Sequence, residues 1–161
     1  MLTEKVIFTE EECKYLISIA GDNYKPLKYF KQPEVQIKLD QYTSNFLLSR
    51  FADFKISAMP NKIKILKYSE GVHFNLHIDS DGKDGRIRTV ITQLSNGDSY
   101  SGGDLEIINN SDFYKVSRQI GNSVIFSPSS PHKVSKIEKG LRYIMVFWLK
   151  AEHLNFSKSI I

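Results

Sequence analysis

From residue 61 to 149 the chain is a succession of short runs rich in Ile, Val, Tyr, Phe and Thr, cut by clusters of Gly, Asn, Asp, Ser and Pro. β-Branched and aromatic side chains fit a pleated, half-buried surface, and the Gly and Pro clusters turn the chain between runs. The pattern predicts eight strands, over 62–68, 73–79, 86–94, 104–108, 113–116, 123–126, 132–137 and 141–149. So many short strands in sequence point to an antiparallel sandwich or jelly roll.

The segment ahead of them reads as helical. Thr9 followed by Glu12 has the form of a capping box, Cys13, Leu16, Ile17 and Ala20 repeat at helical spacing behind it, and Gly21 supplies a stop. A second helix is expected from about Gln41 to Phe54, where Phe46, Leu47, Phe51 and Phe54 make an apolar face that backs the sheet. With 161 residues, the expectation is one α+β domain over 1–161, with a helical N-terminal part, 1–60, and a β core, 61–150. Apolar residues make up 41% and charged residues 25%, which excludes a disordered or fibrous chain. No run approaches the roughly 18 uncharged apolar residues of a membrane span, and an acidic start is unlike a secretory signal, so a cytoplasmic location without membrane partners is expected. The single Cys13 forms no internal disulfide, and its place on the helix face makes it a core residue. The net charge of +4 admits an anionic partner. The lysine stretches Lys25, Lys28, Lys31 and Lys133, Lys136, Lys139 read most simply as solvated faces.

His77 and Asp79 are two apart in a predicted strand, so their side chains leave the same face of the sheet and can converge on one ion. By itself this is weak, since 4 His and 9 Asp among 161 residues supply such a pair by chance about one time in five. His132, 53 residues after Asp79, would join from another strand. Two imidazoles and one carboxylate on one face of an octahedral ion form the facial triad of non-haem Fe(II) sites and leave three positions open for a bidentate 2-oxo acid and dioxygen. Arg142 lies in a strand otherwise almost wholly apolar, from Leu141 to Leu149, where a cation is expensive unless paired with a buried anion such as a distal carboxylate. Taken singly, a strand His or Arg is more often a satisfied core or surface residue. The combination of the four carries the argument.

The stretch from Tyr68 to Trp148, about half the chain, resembles the prolyl 4-hydroxylase-like Fe(II)/2-oxoglutarate-dependent dioxygenases. Tyr68, Gly71, Phe74, His77 and Asp79 match the family's first motif, and Arg86, Thr89 and Leu94 its Arg-x-x-Thr strand. Gly102-Gly103 match a turn, and Gly121, Phe126, His132, Val134, Gly140, Arg142 and Trp148 the closing motif. The resemblance implies a double-stranded β-helix (a cupin-like jelly roll) with N-terminal supporting helices. It implies Fe(II) held by His77, Asp79 and His132, with 2-oxoglutarate as co-substrate and ascorbate as an optional addition. Arg142 would pair with the distal carboxylate and Tyr68 would line that pocket. Gln93, where relatives often carry Tyr, would donate an amide hydrogen bond to the same carboxylate.

The activity implied is hydroxylation of a prolyl residue in a peptide or protein, with dioxygen consumed and succinate and CO2 released. Arg86 and Trp148 would shape the peptide groove, and the polar segments 80–85 and 95–103 would act as mobile lips. His73 suits a gating or hydrogen-bonding role rather than a fourth ligand, and His153 a solvated one. Two rival readings predict different products. An oxidative demethylase of alkylated nucleobases would suit a basic chain, but typically carries a second Arg where Trp148 stands, so nucleic acid is disfavoured as a partner. A non-catalytic metal- or ligand-binding jelly-roll module would form no succinate.

Overall fold

In the computed structural model, residues 1–25 and 34–155 are described. Their elements run β1 (Leu2–Val6), α1 (Glu10–Ala20), β2 (Glu34–Ile37), α2 (Gln41–Phe51), β3 (Ile63–Tyr68), β4 (Phe74–His77) and β5 (Arg88–Gln93). They continue through β6 (Tyr100–Gly102), β7 (Leu105–Asn109), β8 (Asp112–Lys115), β9 (Asn122–Phe126), β10 (His132–Val134), β11 (Ile137–Gly140) and β12 (Arg142–Leu149). The major sheet has the order β1-β9-β5-β12-β3-β2, the minor sheet β4-β10-β7-β8, and β11 pairs with β6. All their pairings are antiparallel.

The helices start where their caps dictate. Thr9 Oγ1 accepts from the Glu12 amide at 3.2 Å while the Thr9 amide donates to Glu12 Oε1 at 2.9 Å, a complete capping box. Asp40 Oδ1 accepts from the Thr43 amide at 2.7 Å and starts α2. Gly21 ends α1 at φ 67°, a conformation that costs a side-chain-bearing residue more. Cys13 and Leu16 of α1 and Leu47 and Phe51 of α2 are buried, together with Ile63, Ile65, Val90, Met145, Phe147 and Leu149 from one face of the major sheet. Phe51 meets Phe147 edge-to-face at 5.3 Å. On the opposite face, Leu66, Tyr68, Ile91, Ile144 and Val146 pack against Leu105, Ile107 and Val134 of the minor sheet.

Strand β12 shows how the two layers are partitioned. Period-two alternation sends Tyr143, Met145, Phe147 and Leu149 toward the helices and Arg142, Ile144, Val146 and Trp148 toward the minor sheet.

Three departures from the sequence pattern stand out. The N-terminal sixty residues are not purely helical, because β1 and β2 form the two edges of the major sheet. The run 132–137 is divided: β10 stays in the minor sheet, whereas Ile137 begins β11 and pairs with Gly102. The segment 95–103 is no open lip, since it contains β6 and Arg118 ties it down through the carbonyls of Gly97, Tyr100 and Gly102 at 2.8, 2.7 and 2.6 Å. Of the first lysine stretch, Lys28 and Lys31 lie outside the described residues.

Candidate metal centre and its cavity

The β4–β10 pairing places His132 directly opposite His77, with ring centroids 4.2 Å apart. Asp79 lies just beyond the end of β4 rather than within a strand, so alternation alone does not aim it. The Pro128 carbonyl does, accepting from the amides of Asp79 and Ser80 at 2.8 and 3.1 Å. The turn 127–131 therefore anchors Asp79 and leads straight into His132.

Hydrogen bonds outside the cluster fix what each side chain presents. His77 Nδ1 is 2.7 Å from the Asn75 carbonyl oxygen and His132 Nδ1 is 3.0 Å from that of Ser130. A carbonyl only accepts, so each Nδ1 carries a proton and each Nε2 faces inward. Both Nε2 atoms lie 3.4 Å from Asp79 Oδ1. The other carboxylate oxygen, Oδ2, is taken by the Thr89 hydroxyl at 2.8 Å and the Trp148 indole N–H at 3.2 Å. Two Nε2 atoms and one carboxylate oxygen thus converge, a donor set that suits one divalent cation. Burial works to raise the Asp79 carboxyl, but the His132 and His77 imidazoles and the Thr89 hydroxyl outweigh it and hold it well below the usual carboxylate range. Among the described residues, this is the one group of His, Cys, Asp or Glu side chains with metal-binding spacing, its ligand atoms all within 4.8 Å of one another.

The cluster opens on a cavity of about 330 Å³, which also reaches Arg142, Tyr68, Arg86 and Trp148. Arg142 is 2% exposed, and its Nε and Nη1 have no hydrogen-bond partner among the described residues. Opposite it in the β3–β12 register is Tyr68, whose ring centre lies 5.0 Å from the guanidinium carbon. Burial raises the Tyr68 phenol, an effect the Arg142 charge opposes. A buried guanidinium with unmet donors costs several kcal/mol. It fits a carboxylate entering the cavity, which is what 2-oxoglutarate offers at its distal end.

Arg86 and Trp148 form a stacked pair at the mouth, with the guanidinium carbon 4.5 Å from the ring centre. The loop before Arg86 is internally bonded, Ser80 Oγ to Asp84 Oδ1 at 2.6 Å, and Asp84 Oδ2 accepts from Arg86 Nε at 3.2 Å.

Other expectations need correction. Gln93 does not line the main cavity: both amide hydrogens are used, on the Ser95 carbonyl at 3.0 Å and the Tyr100 hydroxyl at 2.9 Å, and it borders a smaller space behind Arg142. His73 precedes β4 and is not part of the cavity wall. His153 is held rather than solvated, its Nδ1 accepting from the Lys150 amide at 2.9 Å. Cys13, by contrast, is the core residue expected, with burial pushing its thiol up to about 12. Two contributions had no assigned role in the sequence: Thr89 as the clamp on Asp79, and Glu34, Lys62 and Lys64 at the rim. Thr89 was present in the Arg-x-x-Thr motif, whereas the rim depends on β2 reaching β3 across the sheet.

A β-sandwich whose open end carries two histidines, one aspartate and a buried, anion-seeking arginine defines the architecture of a non-haem iron oxygenase. Residues 63–150 match the family model of the 2OG-Fe(II) oxygenase superfamily, and the chain belongs to that superfamily. Members use Fe(II) and 2-oxoglutarate. A PKHD-type hydroxylase of Cupriavidus pinatubonensis is 33% identical over 116 residues, covering 65% of this chain and 51% of that protein. The chain spans about half the length of these curated relatives. A prolyl-4-hydroxylase of Pseudomonas putida superposes with TM-score 0.73 at 14% identity, covering 92% of this chain and 91% of that one. A prolyl hydroxylase of Trichoplax adhaerens, solved with a peptide fragment of the oxygen degradation domain of hypoxia inducible factor, superposes with TM-score 0.69 at 19% identity, covering 94% and 84%. These likenesses establish the double-stranded β-helix fold. No helix among the described residues is long and apolar enough to cross a membrane.

Proposed function

We propose that the chain is an Fe(II)- and 2-oxoglutarate-dependent dioxygenase that hydroxylates prolyl residues in a peptide or protein. One observation carries the reading: Asp79 Oδ1 and two Nε2 atoms converge with every competing hydrogen-bonding atom turned outward, in the same cavity as a buried arginine with unmet donors.

His77, Asp79 and His132 would hold the metal. Bound Fe(II) and 2-oxoglutarate supply the oxidising chemistry, in which dioxygen is consumed, 2-oxoglutarate becomes succinate and CO2, and one oxygen atom enters a substrate C–H bond. The protein's residues set the geometry around that chemistry. Thr89 and Trp148 hold Asp79 Oδ2 so that Oδ1 alone faces inward, which limits the aspartate to one ligand position. Arg142, with Tyr68 beside it, would bind the distal carboxylate in a bidentate fork. Leu66, Ile144 and Val146 line the cavity and shed water from the reacting centre. Arg86 and Trp148 form the wall against which the substrate would lie.

The prolyl substrate is supported by the relatives and by the peptide complex of the Trichoplax enzyme. Proline also loses little entropy on binding an open groove, because its ring already fixes φ. The test is to incubate the protein with Fe(II), 2-oxoglutarate and, separately, proline-containing peptides and methylated single-stranded oligonucleotides, reading succinate and product mass together. An added oxygen on a proline is expected. Demethylation of the oligonucleotides alone would replace the prolyl substrate with a nucleobase. No turnover of either with metal and co-substrate bound would remove the enzyme reading.

A further inference from the structure

Trp148 is the chain's single tryptophan, and two cations attend its ring. The Arg86 guanidinium carbon is 4.5 Å from the ring centre and Lys64 Nζ is 6.0 Å away. They arrive from opposite neighbours of β12, Lys64 on β3 and Arg86 just ahead of β5. Lys62, exposed, joins them on the rim and has no ion-pair partner among the described residues. Among the described residues, the only carboxylate on the same rim is Glu34, held 3.1 Å from Lys64 Nζ. Asp84, outside the cavity lining, pairs with Arg86 Nε at 3.2 Å, so Arg86 and Lys64 each have an acidic partner and Lys62 is the uncompensated cation. The deeper charges are committed, Asp79 to the metal cluster and Arg142 to a carboxylate. The mouth is therefore left with surplus positive charge. Ile78 also lines the cavity while 48% exposed, an apolar surface within the same opening.

We propose that the mouth selects an acidic peptide: an Asp or Glu side chain flanking the target proline docks among Lys62, Lys64 and Arg86, while the backbone lies on Ile78 and Trp148. The inference rests on the prolyl-peptide reading and narrows it. Charge complementarity favours one carboxylate over a nucleic-acid strand for two reasons. Glu34 stands inside the rim and repels a polyphosphate backbone, which needs an unbroken cationic track. The rim's one tryptophan is already engaged by two cations, whereas an extruded base needs free aromatic faces and donors for its Watson-Crick edge. For a single carboxylate, the uncompensated Lys62 suffices, with Arg86 and Lys64 beside it. Lys64, steadied by Glu34, keeps its ammonium near the ring.

Because Trp148 forms part of the rim, its fluorescence reports occupancy directly. Protein loaded anaerobically with Fe(II) and 2-oxoglutarate is titrated with three proline peptides identical except for Asp, Asn or Lys flanking the proline. The Asp peptide is expected to bind about tenfold more tightly than the Lys peptide, the effect of turning a partly exposed attraction into repulsion. That gap should narrow as ionic strength rises from about 0.05 M to about 0.5 M. Lys62→Glu should erase most of the preference while the variant retains the stabilisation given by metal and 2-oxoglutarate, which shows that it is folded. Equal binding of Asp and Lys peptides, with either of them hydroxylated once air is admitted, would overturn the acidic-flank proposal and leave the prolyl reading standing. Failure of all three peptides to bind or be hydroxylated would overturn the prolyl reading and this proposal with it. Tighter binding of a single-stranded oligonucleotide than of the Asp peptide would assign the rim to phosphate and overturn it as well.

Discussion

Replacing Arg142 should move protein stability and co-substrate affinity in opposite directions. The side chain is 2% exposed and leaves Nε and Nη1 without partners among the described residues, so the ligand-free protein bears the cost of a buried, under-satisfied charge. Exchanging a buried charge for an apolar side chain of similar volume stabilises by about 1–4 kcal/mol. Tyr68, stacked 5.0 Å away, already compensates part of that cost, which points to the lower end. A gain of about 1 kcal/mol corresponds to a rise of roughly 2–4 °C in Tm for a chain of this size. Arg142→Met should therefore melt slightly higher than the parent without ligands. Against 2-oxoglutarate the sign reverses. Two charge-assisted hydrogen bonds at about 1.5–3 kcal/mol each make a loss of about 3–6 kcal/mol, roughly a hundredfold to more than ten-thousandfold weaker affinity. Arg142→Lys keeps the charge but not the planar fork and should fall between the two. Calorimetric titration of 2-oxoglutarate into protein loaded with an inert divalent metal, together with melting curves with and without the acid, reads both quantities. Parental affinity in Arg142→Met would place the anion elsewhere, and a marked loss of ligand-free stability would show the guanidinium to be a satisfied structural group.

The remaining predictions concern the metal cluster and the core. Ala at His77, Asp79 or His132 should abolish turnover and lower bound iron, measured by metal analysis and succinate release; full activity in any one would remove that residue from the ligand set. Thr89→Val should leave the fold intact yet weaken metal affinity about 10–100-fold, because Oδ2 of Asp79 loses its 2.8 Å donor and the carboxylate can swing; unchanged metal affinity would reduce Thr89 to packing. With its thiol pushed up to about 12, Cys13 should resist a thiol reagent at pH 8 in folded protein and react at once in denaturant, and prompt labelling of the native state would contradict its burial.

Three of the candidate site residues stood out in local sequence. His77 and Asp79 sit two apart, and Arg142 interrupts an apolar strand, so each announces itself in local sequence. The alternation of β12 was readable for the same reason. What was hidden depends on contacts between distant segments. Leu2–Val6 and Glu34–Ile37 are short and carry charged residues, and they become strands because β9 and β3 offer them edges. Gln93 looked free to donate into the pocket, but the β6–β11 pairing brings Tyr100 within reach of its amide, a contact no local pattern reports. Asp79 was expected inside a strand. It lies past the end of one, where a carbonyl from the turn 127–131 does the aiming.

Strand β12 also works as a ruler. Arg142 at the closed end and Trp148 at the mouth are six residues apart on one face, about 20 Å of extended chain. The floor on which co-substrate and substrate would be stacked is thus measured out by a single peptide segment. Side chains along that floor can be exchanged one at a time, and specificity can drift with them. Its length is another matter: deleting one residue between Arg142 and Trp148 would turn one end of the ruler into the helix-packed core, so the active cavity would be lost at one end while most of the sheet could still form.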